Sequence, residues 1–136
     1  MNQGLFDLQV NGFAGVDFQR PEITRADLER AADALRRHRT TGILFTLITD
    51  TIDALAAQLE RVERIRAESA AVREMIAGYH IEGPYLLPEL GYHGAHDPRK
   101  MKAPDRAEFD RLQRAAGGRI RLVTLAPEWP GSPEFI

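Results

Sequence analysis

The sequence contains no cysteine, which excludes disulfides and thiolate metal sites and leaves histidine and carboxylate as metal ligands. It has no apolar run near the roughly 20 residues that cross a bilayer, and its beginning does not resemble a signal peptide. The formal net charge is only −2, with a pI of about 6.1, so neither nucleic acid nor a membrane surface is expected as a partner. We therefore expect a cytoplasmic protein whose 136 residues form one domain with a real core.

Several common functional motifs are also absent. The chain has no GxGxxG fingerprint and no P-loop, which argues against nucleotide binding. It has no GxSxG elbow and no thiol nucleophile. The chemistry that remains is carboxylate with histidine, which is typical of metal-assisted hydrolysis.

Strand-like and helix-like segments alternate along the chain. Short apolar runs predict four strands, at 5–10, 43–49, 75–82 and 119–128. Helical spacing of apolar residues predicts three helices, over 23–42, 51–73 and 103–118. This alternation predicts an α/β fold with a parallel sheet, either about half of a (β/α)8 TIM barrel or a small open sheet.

Helix-end signals define the predicted helices. Thr24 suits the N-cap of the first helix, with Asp27 in a capping-box-like position, and Gly42 is expected to end it. Pro104 is expected near the first turn of the third helix, after a long loop rich in Pro and Gly.

The last residues resemble the start of another helix. Ser132 is predicted as the N-cap, Pro133 as the first helical residue and Glu134 as a first-turn acid. A frayed tail is one interpretation. The other, which we favour, is that the sequence is cut from a longer chain and is a partial TIM barrel of about four parallel strands and three helices.

Polar residues lie at or just after the C-terminal end of each predicted strand, where parallel α/β folds place their functional groups. They are Gln9 and Asn11, then Thr49 and Asp50, then His80 and Glu82 with His93 and His96 in the following loop, and finally Glu128.

Glu82 is the strongest candidate, because it ends the third strand directly before Gly-Pro. Its position fits a metal ligand and a solvent-exposed rim residue equally well. His80 lies two residues earlier on the same face, and we expect a hydrogen-bonded core residue. His93 and His96 could bind an anionic substrate or a metal, or lie on the surface, and His38 is expected in solvent.

Five sequence blocks, taken together, resemble the N-acetylglucosamine-6-phosphate deacetylases of the amidohydrolase superfamily. The blocks are DLQVNGFAGVDF (7–18), TTGILFTLITD (40–50), HIEGPYL (80–86), GAHDP (94–98) and TLAPE (124–128). They come in the order of that family and cover nearly the whole chain. The pair HIEGP and GAHDP is the most specific of them.

The resemblance implies a TIM barrel with a small β-sandwich domain built from both chain ends. It also implies hydrolysis of the acetamide of N-acetylglucosamine 6-phosphate to glucosamine 6-phosphate and acetate, so an amino-sugar phosphate is the expected small-molecule partner. The implied cofactor is a divalent metal ion, with zinc as the first choice and iron, manganese or cobalt as alternatives.

The resemblance also implies roles for individual residues. Glu82 matches the glutamate that ligates the metal. Gln9 and Asn11 occupy the position of an HxH metal pair that this family commonly replaces, which goes with a single-metal site. Substrate contacts are implied for His96, Asn11, Gly94 and Ala95.

Other parts of the family pattern are missing from these 136 residues. The remaining metal-ligand histidines, the acid–base aspartate and the β-sandwich segments are not found, so no catalytic residue is predicted within this chain. Residues 1–136 are expected to form a single fragment, the first half of the barrel, inactive alone. Its open strand edges predict a homodimer.

Two alternatives stay open. One is another amidohydrolase that acts on N-acyl sugars or small amides. The other is a non-catalytic α/β module that pairs with a partner chain.

Overall fold

The computed structural model describes residues 4–136. Strands and helices alternate through most of it. In chain order they are β1 (Leu5–Val10), β2 (Gly12–Phe13), β3 (Val16–Asp17), α1 (Arg25–Arg37), β4 (Thr40–Ile48), α2 (Ile52–Glu68), α3 (Ala70–Met75), β5 (Ile76–Glu82), a 3₁₀ turn (Pro98–Lys100), α4 (Arg106–Ala115), β6 (Ile120–Thr124) and α5 (Ser132–Phe135).

The main sheet has four strands in the order β1-β4-β5-β6, and all three pairings are parallel. Each of its strands lies within a segment that the sequence predicts, except that β4 begins three residues earlier, at Thr40. Because helices connect the successive parallel strands, the architecture matches a partial α/β barrel, as predicted.

The helix before β4 ends differently from the prediction. Thr24 and Asp27 form the predicted capping box, but α1 stops at Arg37 instead of continuing to Gly42. Gly42 lies inside β4 opposite Phe6, where a β-carbon would stand 2.8 Å from the Phe6 ring. The glycine thus permits a ring to pack on the strand, which is a different requirement from ending a helix.

The long helix predicted over 51–73 is two helices, because the backbone at Ser69 is extended. The Ser69 hydroxyl accepts a hydrogen bond from the backbone N–H of Val72 and donates one to Glu29 Oε1 at 2.7 Å. A serine that caps a new helix in this way competes with continuation of the old one.

One cap prediction near the C-terminus is wrong. Asp105 caps α4 by accepting from the N–H of Glu108, and Pro104 lies directly before this cap, near the first turn as predicted. The predicted helix start after 130 is present, but Gly131 is its N-cap, with φ of 85°. Ser132 is already helical and donates its hydroxyl to the carbonyl of Ala126.

The core lies between the helices and one face of the sheet. Phe18 and Phe45 stack with their centroids 4.3 Å apart, and Tyr79 meets Phe45 edge-on. Leu59 and Val62 of α2 are fully buried against this cluster. Each such side chain contributes about 1.5–3 kcal/mol through removal from water.

The two border strands carry exposed large apolar side chains. On β1 they are Leu5, Phe6 and Leu8, and on β6 Leu122. Within the four-stranded sheet, β1 and β6 each pair with one neighbour. Among residues 4–136, no helix combines the length and the apolar character that crossing a membrane needs.

Candidate functional site at the C-terminal strand edge

Strand β5 carries His80 and Glu82 to the C-terminal edge of the sheet, and the two residues have different surroundings. His80 is 2% exposed, with Nε2 at 2.7 Å from Thr124 Oγ1 on β6. Burial lowers the pKa of His80, and the charge of Glu82 only partly opposes this shift. His80 is therefore the hydrogen-bonded core residue that the sequence predicts.

The Glu82 carboxylate faces two side-chain amides from the first strand. Its Oε1 accepts from Gln9 Nε2 at 2.9 Å, and its Oε2 accepts from Asn11 Nδ2 at 3.4 Å. The side chain of Glu82 is 19% exposed. The interpretation of Glu82 as a freely solvated rim residue is therefore wrong, because the carboxylate has defined partners in the protein.

His96 returns to this point from the long loop after β5. Its Nδ1 lies 2.9 Å from Thr49 Oγ1 at the end of β4, and its Nε2 lies 3.8 Å from Glu82 Oε1. The imidazole is 17% exposed. A backbone hydrogen bond from Lys102 to the carbonyl of Pro84 joins the two ends of the loop, which brings His96 back over the strand edge.

Gln9 and Asn11 reach Glu82 because β1 ends irregularly. The pairing of β1 with β4 shifts register between Asp7 and Val10, and the N–H of Val10 bonds to the side chain of Thr46. A short hairpin of β2 and β3 then returns the chain, closed by a hydrogen bond from the N–H of Phe18 to the carbonyl of Asn11. Each strand of this hairpin has only two residues, and the sequence predicts neither of them.

Sequence reasoning also missed Gln19. Its amide nitrogen donates to the carbonyl of Thr46 at 2.9 Å, and its amide oxygen accepts from the N–H of Ile48 at 3.0 Å. A third, longer contact reaches the carbonyl of Asn11. One side chain thus ties the hairpin to the end of β4. Nothing in the local sequence distinguishes this glutamine from a surface residue.

Other predicted residues lie apart from Glu82. Gly94 and Ala95 are exposed in the loop that carries His96. His93 contacts the carbonyl of Gly94 through Nδ1, and His38 is the exposed C-cap residue of α1, next to the ring of Phe13. Among residues 4–136, no hydrogen bond joins Gly94, Ala95 or His93 to Glu82, and the substrate contacts predicted for this loop stay predictions.

The donor set is incomplete as a metal centre. Within the part of the chain that the structure describes, no group of three or more His, Cys, Asp or Glu side chains is arranged to hold a metal ion. Glu82 and His96 supply one carboxylate and one imidazole, both chemically suited to zinc. Catalytic zinc sites use three protein ligands, so these residues fit part of such a site.

Comparisons by sequence and by structure both find similarity to amino-sugar-phosphate deacetylases. No family model matches the chain. It is 30% identical over 127 residues to the N-acetylglucosamine-6-phosphate deacetylase of Bacillus subtilis, which covers 92% of the chain and 31% of that relative. It is 35% identical over 126 residues to the N-acetylgalactosamine-6-phosphate deacetylase of a Shewanella species, covering 92% of the chain and 30% of that relative.

Solved structures show the same similarity. The crystal structure of N-acetyl-D-glucosamine-6-phosphate deacetylase from Mycobacterium smegmatis superimposes with a TM-score of 0.80 at 32% identity, covering 97% of this chain and 35% of that one. A mutant of that enzyme was solved in complex with N-acetyl-D-glucosamine-6-phosphate, and it superimposes with a TM-score of 0.81.

The chain spans about a third of the length of the curated relatives it matches. Over that third, the comparisons confirm the resemblance to N-acetylglucosamine-6-phosphate deacetylases. They compare whole sequences and folds, and they assign no role to an individual residue of this chain.

Proposed function

We propose that this chain is part of a hydrolase similar to N-acetylglucosamine-6-phosphate deacetylase, which removes the acetyl group of N-acetylglucosamine 6-phosphate to give glucosamine 6-phosphate and acetate. The observation that carries the proposal is the meeting of Gln9, Asn11, Glu82 and His96 at one strand edge. They come from three separate sequence blocks that resemble this family. The names of the relatives supply the reaction class.

Glu82 is the proposed metal ligand within this chain. The amides of Gln9 and Asn11 donate to its two oxygens and so orient the carboxylate. A divalent ion, zinc first with iron, manganese or cobalt as alternatives, supplies carbonyl polarisation and a lower pKa for bound water when it is present. Because residues 4–136 offer no cluster of three ligands, the other ligands are proposed to lie outside them.

The loop after β5 is the proposed contribution to substrate binding. His96 lies beside Glu82 and is mostly buried. Asn11 donates to Oε2 of the same carboxylate, and the exposed residues Gly94 and Ala95 lie in the loop that carries His96. None of these residues is proposed as the general acid or base. The 136-residue chain is therefore expected to have no deacetylase activity alone, and metal-dependent acetate release by the purified chain would refute that expectation.

The same proposal has an architectural part. Residues 1–136 are taken as one fragment, the first half of an eight-stranded barrel whose other strands lie outside it. The border strands β1 and β6 and their exposed apolar residues favour pairing with further protein. We expect the isolated chain to form homodimers, and we expect the protein to act in the cytoplasm.

A chimera tests the proposed reaction directly. This chain would replace the matching segment of the Mycobacterium smegmatis deacetylase, to which it is 32% identical. The chimera should release acetate from N-acetylglucosamine 6-phosphate, and Glu82→Gln should abolish the release. Glu60→Gln makes the same chemical change on an exposed position of α2 and should leave activity unchanged.

The result that contradicts the proposal is equally clear. A folded chimera whose acetate release survives Glu82→Gln would exclude Glu82 from the metal site. Zinc titration of the 136-residue chain adds a measurement that does not depend on activity. Zinc binding should be weak, and Glu82→Gln should weaken it by about tenfold or more, a loss of about 1.4 kcal/mol.

A second substrate is favoured by one observation. The relative from Shewanella, at 35% identity, is an N-acetylgalactosamine-6-phosphate deacetylase. The two sugar phosphates differ in the orientation of one hydroxyl. Acetate release from both, measured with the same chimera, distinguishes the two candidates. A preference for the galactosamine compound of more than about tenfold, or about 1.4 kcal/mol, would favour the second.

A further inference from the structure

The hydroxyl of Thr49 lies between His96 and the backbone of β5. Its Oγ1 is 2.9 Å from His96 Nδ1 and 3.3 Å from the carbonyl oxygen of Glu82. Thr49 is 6% exposed, so water does not readily replace either partner. Gly83 leaves the space for this contact, since a β-carbon on Gly83 would overlap the Thr49 hydroxyl.

The number of hydrogens available decides how these groups pair. A threonine hydroxyl donates one hydrogen, and a carbonyl oxygen only accepts. If Thr49 donates to the Glu82 carbonyl, His96 must carry a hydrogen on Nδ1 and donate it to Thr49. This arrangement makes two hydrogen bonds from the two contacts in the structure.

The opposite tautomer makes fewer bonds. Thr49 would then donate to His96 Nδ1, and the Glu82 carbonyl would lose this donor. The hydrogen on Nε2 would face Glu82 Oε1 across 3.8 Å, which is too long for a hydrogen bond. That carboxylate oxygen already accepts from Gln9. The count of hydrogen bonds therefore favours a hydrogen on Nδ1.

We propose that Thr49 is a positioning residue that holds His96 in the Nδ1–H tautomer, so that Nε2 presents its lone pair beside Glu82. Two acceptors, the imidazole nitrogen and the carboxylate, then face the same space. A ligand that places an O–H or N–H there, as a sugar hydroxyl or an acetamide does, would donate to Nε2. The part of the proposal that concerns the ligand rests on the proposed function, whereas the part that concerns the tautomer does not.

Long-range ¹H–¹⁵N NMR correlation on the metal-free 136-residue chain tests the tautomer. The spectrum is recorded near pH 8. His96 should show a protonated Nδ1 and an unprotonated Nε2. Thr49→Val removes only the hydroxyl function and should move the hydrogen to Nε2. Thr49→Ser keeps the hydroxyl, so the hydrogen should stay on Nδ1 as in the wild type.

Controls keep the result interpretable. His80 bonds to Thr124 and not to Thr49, so its nitrogen signals should stay unchanged in both variants. If Thr49→Val fails to fold, the wild-type spectrum alone still shows which nitrogen of His96 carries the hydrogen. A hydrogen on Nε2 in the wild type, or an unchanged His96 in a folded Thr49→Val variant, would overturn the role of Thr49.

Addition of N-acetylglucosamine 6-phosphate tests, in the same spectrum, whether the ligand donates a hydrogen bond to Nε2. The Nε2 signal should shift as it accepts a hydrogen bond, while Nδ1 keeps its hydrogen. If His96 has its hydrogen on Nδ1 but its Nε2 signal does not shift with the sugar phosphate, the role of Thr49 is supported and the proposed contact of the ligand with Nε2 is contradicted. The two failures are therefore distinguishable.

Discussion

A partly buried charge cluster between α2 and β5 yields a prediction whose magnitude follows from the structure. The Tyr79 hydroxyl on β5 donates to Glu63 Oε1 of α2 at 2.5 Å. Glu63 also binds Arg66 at 2.8 Å and Arg119 at 2.7 Å. The cluster joins α2 to β5 and to the residue before β6. Burial, and then the hydrogen bond to Glu63, raise the pKa of Tyr79 above its ordinary value, so the hydroxyl stays protonated and can donate.

Tyr79→Phe removes one hydrogen bond to a charged group, which is worth about 1.5–3 kcal/mol. Glu63 keeps both arginines and its side chain is 19% exposed, so we expect the lower end, about 1.5 kcal/mol. With a urea m-value of roughly 1.5 kcal/mol/M for a chain of this size, the midpoint of unfolding should fall by about 1 M.

Tyr85→Phe is the matched control. Tyr85 is as fully buried as Tyr79, but its hydroxyl has no hydrogen-bond partner among the described residues. Loss of an unpartnered buried hydroxyl should leave the midpoint unchanged or raise it. A double-mutant cycle with Glu63→Gln should recover the coupling between Tyr79 and Glu63. Equal destabilisation by Tyr79→Phe and Tyr85→Phe would refute the reasoning, because it would show that hydroxyl loss costs the same without a partner.

Three further predictions concern the cap of α1, the border strand and the end of β5. Hydrogen bonds from the side chain and backbone of Thr24 lower the pKa of Asp27 to about 2 from its ordinary 3.8. Because the pKa is lower in the folded state, the capping box stabilises the fold above pH 3.8. This stabilisation is lost as the pH falls toward 2. An NMR titration should return that pKa, and Thr24→Val should raise it; an Asp27 pKa that does not change in the variant would contradict the capping box. Phe6→Lys with Leu8→Lys on exposed β1 should reduce self-association in sedimentation experiments, whereas a wild-type chain that stays monomeric at high concentration would contradict the expected dimer. Gly83→Ala should lower thermal stability, because its β-carbon overlaps the Thr49 hydroxyl and the residue has φ of +88°; a stability equal to wild type would argue against close packing there.

Periodicity and strand-end position were sufficient to predict the alternation of strands and helices and the residues at the sheet edge. The apolar run of β4 and the strand ending in Glu82 are strong local signals, since both faces of a central parallel strand are covered. Parallel strands also place their C-terminal ends at one edge, so Gln9, Glu82 and the residues after β4 had to lie near one another.

What the sequence could not predict depends on contacts between distant residues. Gly42 is a plausible helix terminator by local rules, yet it lies within β4, where the ring of Phe6 packs over it. The Ser69 hydroxyl, at the break between α2 and α3, donates to Glu29, forty positions away in the chain. Gln19 bonds to the backbone of β4, and only the folded hairpin reveals that. The contact of His96 with Thr49 likewise needed the folded loop.

The most direct test of the central claim is where a divalent cation binds. Anomalous diffraction from crystals of this chain, or of the chimera, grown with zinc would locate the ion. Our account predicts a peak about 2.0–2.2 Å from a Glu82 carboxylate oxygen. Zinc found only at other residues, with Glu82 still bonded to Gln9 and Asn11 alone, would contradict it.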